Sequence, residues 1–147
     1  MKYKTEPTYT HGTSHKTGIL LVNLGTPTSL DYKTMRKYLN QFLKDPRVVE
    51  LNPIKWWLIL NGILLNFIPQ RSAKNYAKIW NKEKDDSPLR VTSLAQRDAL
   101  QEVFDKRDVA VEIGMRYDQP SIESALEKLK GQFCDRILVV PLYPQYA

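Results

Sequence analysis

The chain has 147 residues, 42% of them hydrophobic and 26% charged, and a net charge of +6. That is enough for one domain with a real core, and the composition is ordinary for a soluble globular protein. The charge favours acidic partners: nucleic acid, an anionic membrane surface, or a substrate with carboxylates or phosphates. Residues 1–17 contain Lys, Thr, Tyr and His but no apolar core, so they read as a flexible tail without a secretory signal. Gly18 to Leu24 is a run of aliphatics that reads as a strand, closed by a Gly25-Thr26-Pro27 turn. Thr28 or Ser29 then caps a helix to about Lys44, with Leu30, Met35, Tyr38, Leu39, Phe42 and Leu43 mostly on one stripe. Asp45-Pro46 stops it, Arg47 to Leu51 is short and extended, and Asn52-Pro53 is an N-cap followed by proline at the first helical position.

The segment after Pro53 is apolar nearly all round. A helix of that kind is either fully buried or offers a face to something apolar. Two adjacent tryptophans and many aliphatics exceed what one helix hides in a domain this small, which predicts a partly exposed apolar lip. The window Ile54 to Ile68 holds Lys55, Asn61, Gly62 and Asn66 and is too short to span a bilayer; a membrane surface or an apolar ligand is what it suits. Pro69-Gln70-Arg71 is expected to break the run, and Ser72 to Asn81 to form another short helix. A polar loop over residues 82–87 leads through Ser87-Pro88 into a helix from about Leu89 to Asp105. Val109 to Met115 reads as the second strand. Gln119-Pro120-Ser121 starts a helix to about Lys130, ended by Gly131. Ile137 to Val140 is the third strand, expected to be buried on both faces, and it runs into Pro141-Leu142-Tyr143-Pro144-Gln145-Tyr146.

This order predicts an α/β domain with a parallel sheet and right-handed crossovers. An α/β domain that ends on a strand and its loop reads as the first part of a larger protein or assembly. Ligands of open parallel sheets bind at the C-terminal ends of the strands. There stand Asn23, Leu24 and Thr26, then Arg116 and Tyr117, then Tyr143, Gln145 and Tyr146; Arg71, Lys74, Tyr76 and Ser87 lie in the first crossover. No G-x-G-x-x-G and no G-x-x-x-x-G-K-[ST] is present, which removes the nucleotide-loop reading. The histidines, His11 and His15, sit in the presumed tail, so no histidine-based metal or acid–base site is expected in the folded part. The lone Cys134 reads as a small side chain beside a strand, and one reduced cysteine fits the cytoplasm. The remaining aromatic and aliphatic surface with a few cations and hydroxyls suits a large planar apolar ligand bearing carboxylates. Residue types alone favour plainer roles: core or rim tyrosines at 117, 143 and 146, and a structural ion pair at Arg116. Lysines and arginines spread along the chain without a recognition motif argue against nucleic acid.

Seven segments occur in order: Asn23-Leu24-Gly25-Thr26-Pro27, Asp45-Pro46-Arg47-Val48-Val49, Arg71-Ser72-Ala73-Lys74, Tyr76 through Ile79-Trp80, Ser87-Pro88-Leu89, Met115-Arg116-Tyr117 and Leu142-Tyr143-Pro144-Gln145-Tyr146. Together they resemble the N-terminal half of the protoporphyrin/coproporphyrin ferrochelatase family, over about Gly18 to Tyr146. The resemblance implies a Rossmann-like, chelatase-type parallel sheet flanked by helices, one half of a two-half fold, with residues 18–147 ending before the second half. It implies a lyase of haem biosynthesis that inserts ferrous iron, its substrate, into protoporphyrin IX, with no cofactor bound by this chain alone. Leu24 would touch the macrocycle, Arg71 or Lys74 would face the propionates with Tyr76 and Ser87 nearby, and Arg116 and Tyr117 would line the inner pocket. The segment from Pro53 to Phe67 resembles the lip at the cleft mouth, with Ile54 to Ile68 offered to a membrane surface. The family's metal-handling histidine and its glutamate belong to the second half, so no catalytic or metal residue is assigned here, and the chain alone is expected to be inactive. Two alternatives stand beside this reading: a non-catalytic porphyrin- or haem-binding half-domain, and a half-size chelatase completed by a second copy.

Overall fold

The computed structural model describes residues 16–143. The elements run β1 (Lys16–Gly25), α1 (Tyr32–Lys44), α2 (Pro53–Ile59), a π-helical turn (Leu60–Leu64), α3 (Leu65–Ala77), α4 (Pro88–Phe104), β2 (Val109–Tyr117), α5 (Ile122–Gly131) and β3 (Cys134–Pro141). The strands form one sheet in the order β2-β1-β3. β1 and β3 run parallel, with Ile19 opposite Leu138. The expected α/β class is therefore the observed one. The residue 1–15 part of the tail, including His11 and His15, lies outside the described residues, as do Pro144, Gln145 and Tyr146. Lys16 and Thr17 belong to β1, so the strand starts two residues before the expected boundary.

The chain sorts into two compact units. One holds the described residues up to Asn23, then Ser93–Gly114, then the described residues from Pro120 on. Its core is Leu20 and Val22 of β1, Ala110 of β2, and Ala125 and Leu129 of α5, with Ile122, Cys134 and Tyr143 packed against it. Ala125 and Leu129 are four apart and so share one helical face. Ser121 caps α5 by accepting from the Ser124 N–H at 3.1 Å. The approach of α5 to β2 is close enough to require glycine at 114, where a Cβ would meet the Ile122 Cα at 2.8 Å. Gly131 is the last helical residue, and the left-handed position that ends the segment falls on Phe133, at φ 61°.

β3 departs from expectation. Ile137, Leu138 and Val139 are exposed, Leu138 at 57%. Burial of both faces requires layers on both sides and a paired edge on each flank. β3 pairs with β1 alone, and α5 is the helix packed against it.

The other unit holds Leu24–Thr92 and Met115–Gln119. Its core comprises Met35, Tyr38 and Leu39 of α1, Leu60, Leu65 and Tyr117. α1 starts later than expected: its N-cap is Asp31, which accepts from the Thr34 N–H at 3.0 Å and also bonds the Ser29 hydroxyl. Asn52 caps α2 as expected, its side chain accepting from the Ile54 and Lys55 N–H groups, with Pro53 at the first turn. Pro69 does not break the following run; α3 passes through it. Two devices, one local and one reaching from α1, carry the helix onward. Around the π turn, Asn61 Nδ2 donates to the Trp57 carbonyl at 3.0 Å and Asn66 Nδ2 to that of Gly62 at 2.8 Å. At Pro69, which has no N–H for the Leu65 carbonyl four residues back, the Tyr32 hydroxyl donates to that carbonyl at 3.1 Å.

Candidate functional site

All six predicted binding residues fall in the second unit. Four of them gather at one aromatic cluster. Leu24, at the end of β1, is half-buried and packs against the core of Met35, Tyr38, Leu39, Leu60, Leu65 and Tyr117. Tyr76 of α3 sits edge-on to Tyr38, ring centroids 6.3 Å apart, and its hydroxyl lies 3.4 Å from that of Tyr38. Tyr38 stacks on Phe42 at 6.3 Å, and Phe42 meets Tyr117 edge-on at 5.3 Å. Tyr38 and Phe42 are four apart on α1, which puts both rings on one face. Arg116 stands at the end of β2, its guanidinium carbon 5.7 Å from the Tyr117 ring centre.

The turn that presents Leu24 depends on Gly25. Its φ is +107°, and a Cβ there would lie 2.0 Å from the Tyr117 carbonyl oxygen. Asp118 holds the same corner. Its Oδ2 accepts from the Thr28 N–H at 3.1 Å and its Oδ1 from Lys37 Nζ at 3.1 Å, while Gln41 Oε1 accepts from the Asp118 N–H at 2.8 Å.

Arg71 and Ser87 lie elsewhere in the unit. Arg71 is exposed on α3, two residues past Pro69. Ser87 is 1% exposed, and its hydroxyl caps α4 by accepting from the Arg90 N–H at 3.2 Å. Its neighbour in that corner is Arg90, which reaches the Pro27 carbonyl and pairs with Asp86 at 3.0 Å.

Sequence reasoning gave Asp45 no role at the site, reading it as a helix stop and as part of the segment Asp45-Pro46-Arg47-Val48-Val49. Its carboxylate accepts from Arg116 Nη2 at 2.6 Å, from the Tyr117 hydroxyl at 3.2 Å and from the Arg47 N–H at 2.9 Å. The Arg47 N–H and then Arg116 hold its pKa down, from an ordinary 3.8 to about 2. Asp45 in turn raises that of Arg116. Burial pushes the Tyr38 and Tyr117 hydroxyls up. At neutral pH the site therefore carries an ionised carboxylate, a cation and two neutral phenols.

The apolar lip is exposed: Trp57 at 57% and Phe67 at 73%, with Ile54, Leu58 and Ile63 also open. Beside it lies an apolar pocket of about 560 Å³, whose wall includes Lys44, Pro46, Val49, Ile54, Trp57 and Leu58. That volume falls in the range of small-molecule sites. None of the six predicted residues is in its lining, although Lys44 and Pro46 flank Asp45. Trp56 Nε1 donates to the Leu43 carbonyl at 2.8 Å, tying α2 to the end of α1. Among the described residues no group of His, Cys, Asp and Glu side chains is arranged to hold a metal ion, and no helix is long and apolar enough to cross a membrane. Cys134 is half-buried, and burial raises its thiol pKa.

The ferrochelatase family model matches residues 16–147. The chain belongs to the ferrochelatase family. It is 48% identical over 149 aligned residues to the ferrochelatase of Chromobacterium violaceum, covering 99% of this chain and 40% of that protein. To the ferrochelatase of Herminiimonas arsenicoxydans it is 51% identical over 149, covering 100% and 40%. To that of Mesorhizobium japonicum it is 52% identical over 133, covering 90% and 38%. The chain thus spans about 40% of the length of these ferrochelatases and corresponds to their N-terminal portion. Its α/β sheet with flanking helices is consistent with a chelatase-type, Rossmann-like half-domain of that family.

Proposed function

We propose that this chain is the porphyrin-binding N-terminal portion of a ferrochelatase, acting in the insertion of ferrous iron into protoporphyrin IX for haem synthesis. The observation that carries the reading is the cluster of Leu24, Tyr76, Arg116 and Tyr117 in one compact unit of a ferrochelatase-family chain. A porphyrin needs flat apolar walls for its faces and cations for its propionates. Leu24 and the tyrosine rings supply the first. Arg116 and the exposed Arg71 supply the second, through charge-assisted hydrogen bonds to carboxylate oxygens. Ser87, with its hydroxyl committed to the α4 cap, serves by fixing the start of that helix.

Insertion also requires removal of two pyrrole protons and placement of the metal on the ring axis. We assign those steps to residues of the family outside this portion, so that the chain alone binds porphyrin without metallating it. We place the protein in the cytoplasm, with the exposed row from Ile54 to Phe67 against a membrane surface.

Titration of the chain with protoporphyrin IX, followed by tryptophan quenching and the porphyrin absorption band, tests this reading. Saturable binding is expected, weakened about tenfold or more by Arg71→Ala or Arg116→Ala, with no metallation on anaerobic addition of ferrous iron. Absence of saturable binding by the folded chain would remove the proposal.

A further inference from the structure

The contacts of Asp45 are unusual for a residue at a helix end. α1 needs no carboxylate to stop: the Asp45 backbone N–H bonds the Phe42 carbonyl, and the Asp45 carbonyl accepts from Val48 and Val49. One carboxylate oxygen, Oδ1, accepts locally from the Arg47 N–H, and the other, Oδ2, is directed across the unit to β2, whose residues stand 71 and 72 positions later in the chain. The Asp45 side chain is 5% exposed, whereas the Arg116 side chain it holds is 49% exposed. One partner is thus fixed in the protein and the other presented to the surface.

We propose that Asp45 is a positioning residue, which holds the Arg116 guanidinium in a fixed orientation for a carboxylate of a bound porphyrin, while the Tyr117 hydroxyl donates to Asp45 itself. The inference rests on the porphyrin-binding reading above. A guanidinium has five N–H donors, and the contact to Asp45 engages those of a single nitrogen, Nη2. The fork can therefore accept a second anion while one tine is anchored. Anchoring removes rotamer freedom before the ligand arrives, which raises affinity without adding a contact to the ligand. The Tyr117 hydroxyl shares the same Oδ2, and its ring lies under the guanidinium carbon, so the cation is held from two sides. The position of Asp45 in the chain extends the consequence. Lys44 and Pro46 on either side of it line the apolar pocket, so the anchored cation is tied directly to a segment of the pocket wall.

A purely structural ion pair would stabilise the unit and leave ligand affinity independent of it. The test is a double-mutant cycle on protoporphyrin IX affinity with Asp45→Asn, Arg116→Ala and both together, each checked for folding by urea denaturation. Asp45→Asn should weaken binding about fivefold to tenfold, and the double variant should bind within about twofold of Arg116→Ala alone. Asp45→Glu keeps the charge and should fall between wild type and Asp45→Asn, which covers failure of the asparagine variant to fold. Independent, multiplying losses would overturn the proposal, as would wild-type affinity in Asp45→Asn where Arg116→Ala is weakened. A second readout needs no ligand: the Arg116 Nη2 protons, which donate to Asp45, should give a sharp, slowly exchanging signal in a proton–nitrogen correlation spectrum of wild type, and it should be lost in Asp45→Asn. An unchanged signal also overturns the proposal. Loss of that signal in a protein that binds no porphyrin would mean that the anchoring is real and the porphyrin reading is wrong, which removes the proposed role.

Discussion

Replacing Tyr32 by Phe deletes one oxygen and tests why α3 survives its proline. Pro69 leaves the Leu65 carbonyl without its N–H partner, and the Tyr32 hydroxyl donates to it at 3.1 Å. Leu65 is buried, so an orphaned acceptor there costs about 1–3 kcal/mol. Phenylalanine keeps the ring, and the exposure of Tyr32 admits water toward the vacated position, so the lower part of that range applies, about 1–2 kcal/mol. Urea unfolding followed by tryptophan fluorescence is the assay, because Trp56, Trp57 and Trp80 all lie in the unit concerned. With a slope of about 2 kcal/mol/M the midpoint should fall by about 0.5–1 M. The decisive comparison is the same change in a Pro69→Ala background, where an alanine N–H can serve the carbonyl. Pro69→Ala alone gains up to about 3 kcal/mol of helix propensity. It loses about 1.6 kcal/mol for two buried methylenes and up to about 1 kcal/mol through the freer unfolded chain. In that background Tyr32→Phe should cost less than about 0.5 kcal/mol. Equal costs in the two backgrounds would refute the idea that the hydroxyl replaces the missing N–H. The stake is functional, since Arg71 and Tyr76 both ride on the helix beyond Pro69.

Gly25→Ala should destabilise by more than about 3 kcal/mol, because positive φ and a Cβ 2.0 Å from the Tyr117 carbonyl act together; a midpoint within 0.3 M of wild type, taken as roughly 0.6 kcal/mol, would contradict the turn geometry. Asp45 titrates at about 2 in the folded chain against an ordinary 3.8. A depressed carboxyl pKa stabilises above the unfolded value and is lost as pH falls through the folded one. Stability should therefore drop between about pH 4 and pH 2, and Asp45→Asn should flatten that part of the profile measured by urea midpoints. Trp57→Ser and Phe67→Ser should change stability by no more than about 0.5 kcal/mol, since both side chains are exposed. The same pair should reduce flotation with phosphatidylglycerol–phosphatidylcholine vesicles; undiminished flotation would count against the lip as a membrane contact.

Much of the fold was legible because its signals are local. The aliphatic run Gly18 to Leu24, Asn52-Pro53 before α2 and Ser121 before α5 each fix backbone geometry within a few residues. The seven ordered segments were equally legible, and they pointed to the family that the comparison over residues 16–147 shows. Other readings failed where a distant partner decided the outcome. Pro69 was read as a helix breaker because Tyr32, 37 positions earlier, is invisible to a local rule. Asp45 was read as a stop signal for the same reason, although a carboxylate within a quoted motif was the one hint available.

By itself, then, the sequence determined the order and type of the elements outside the stretch around Pro69, the apolar character of the 53–67 segment and the family. Those follow from periodicity, capping chemistry and motif order, which are properties of neighbouring residues. The tertiary structure decided which side chains meet: Asp45 with Arg116 and Tyr117, Tyr38 with Tyr76, Tyr32 with the Leu65 carbonyl. It also decided that Ile137 to Val139 stand exposed. An aliphatic run encodes only a preference for burial, and whether the preference is met depends on the layers that surround the strand.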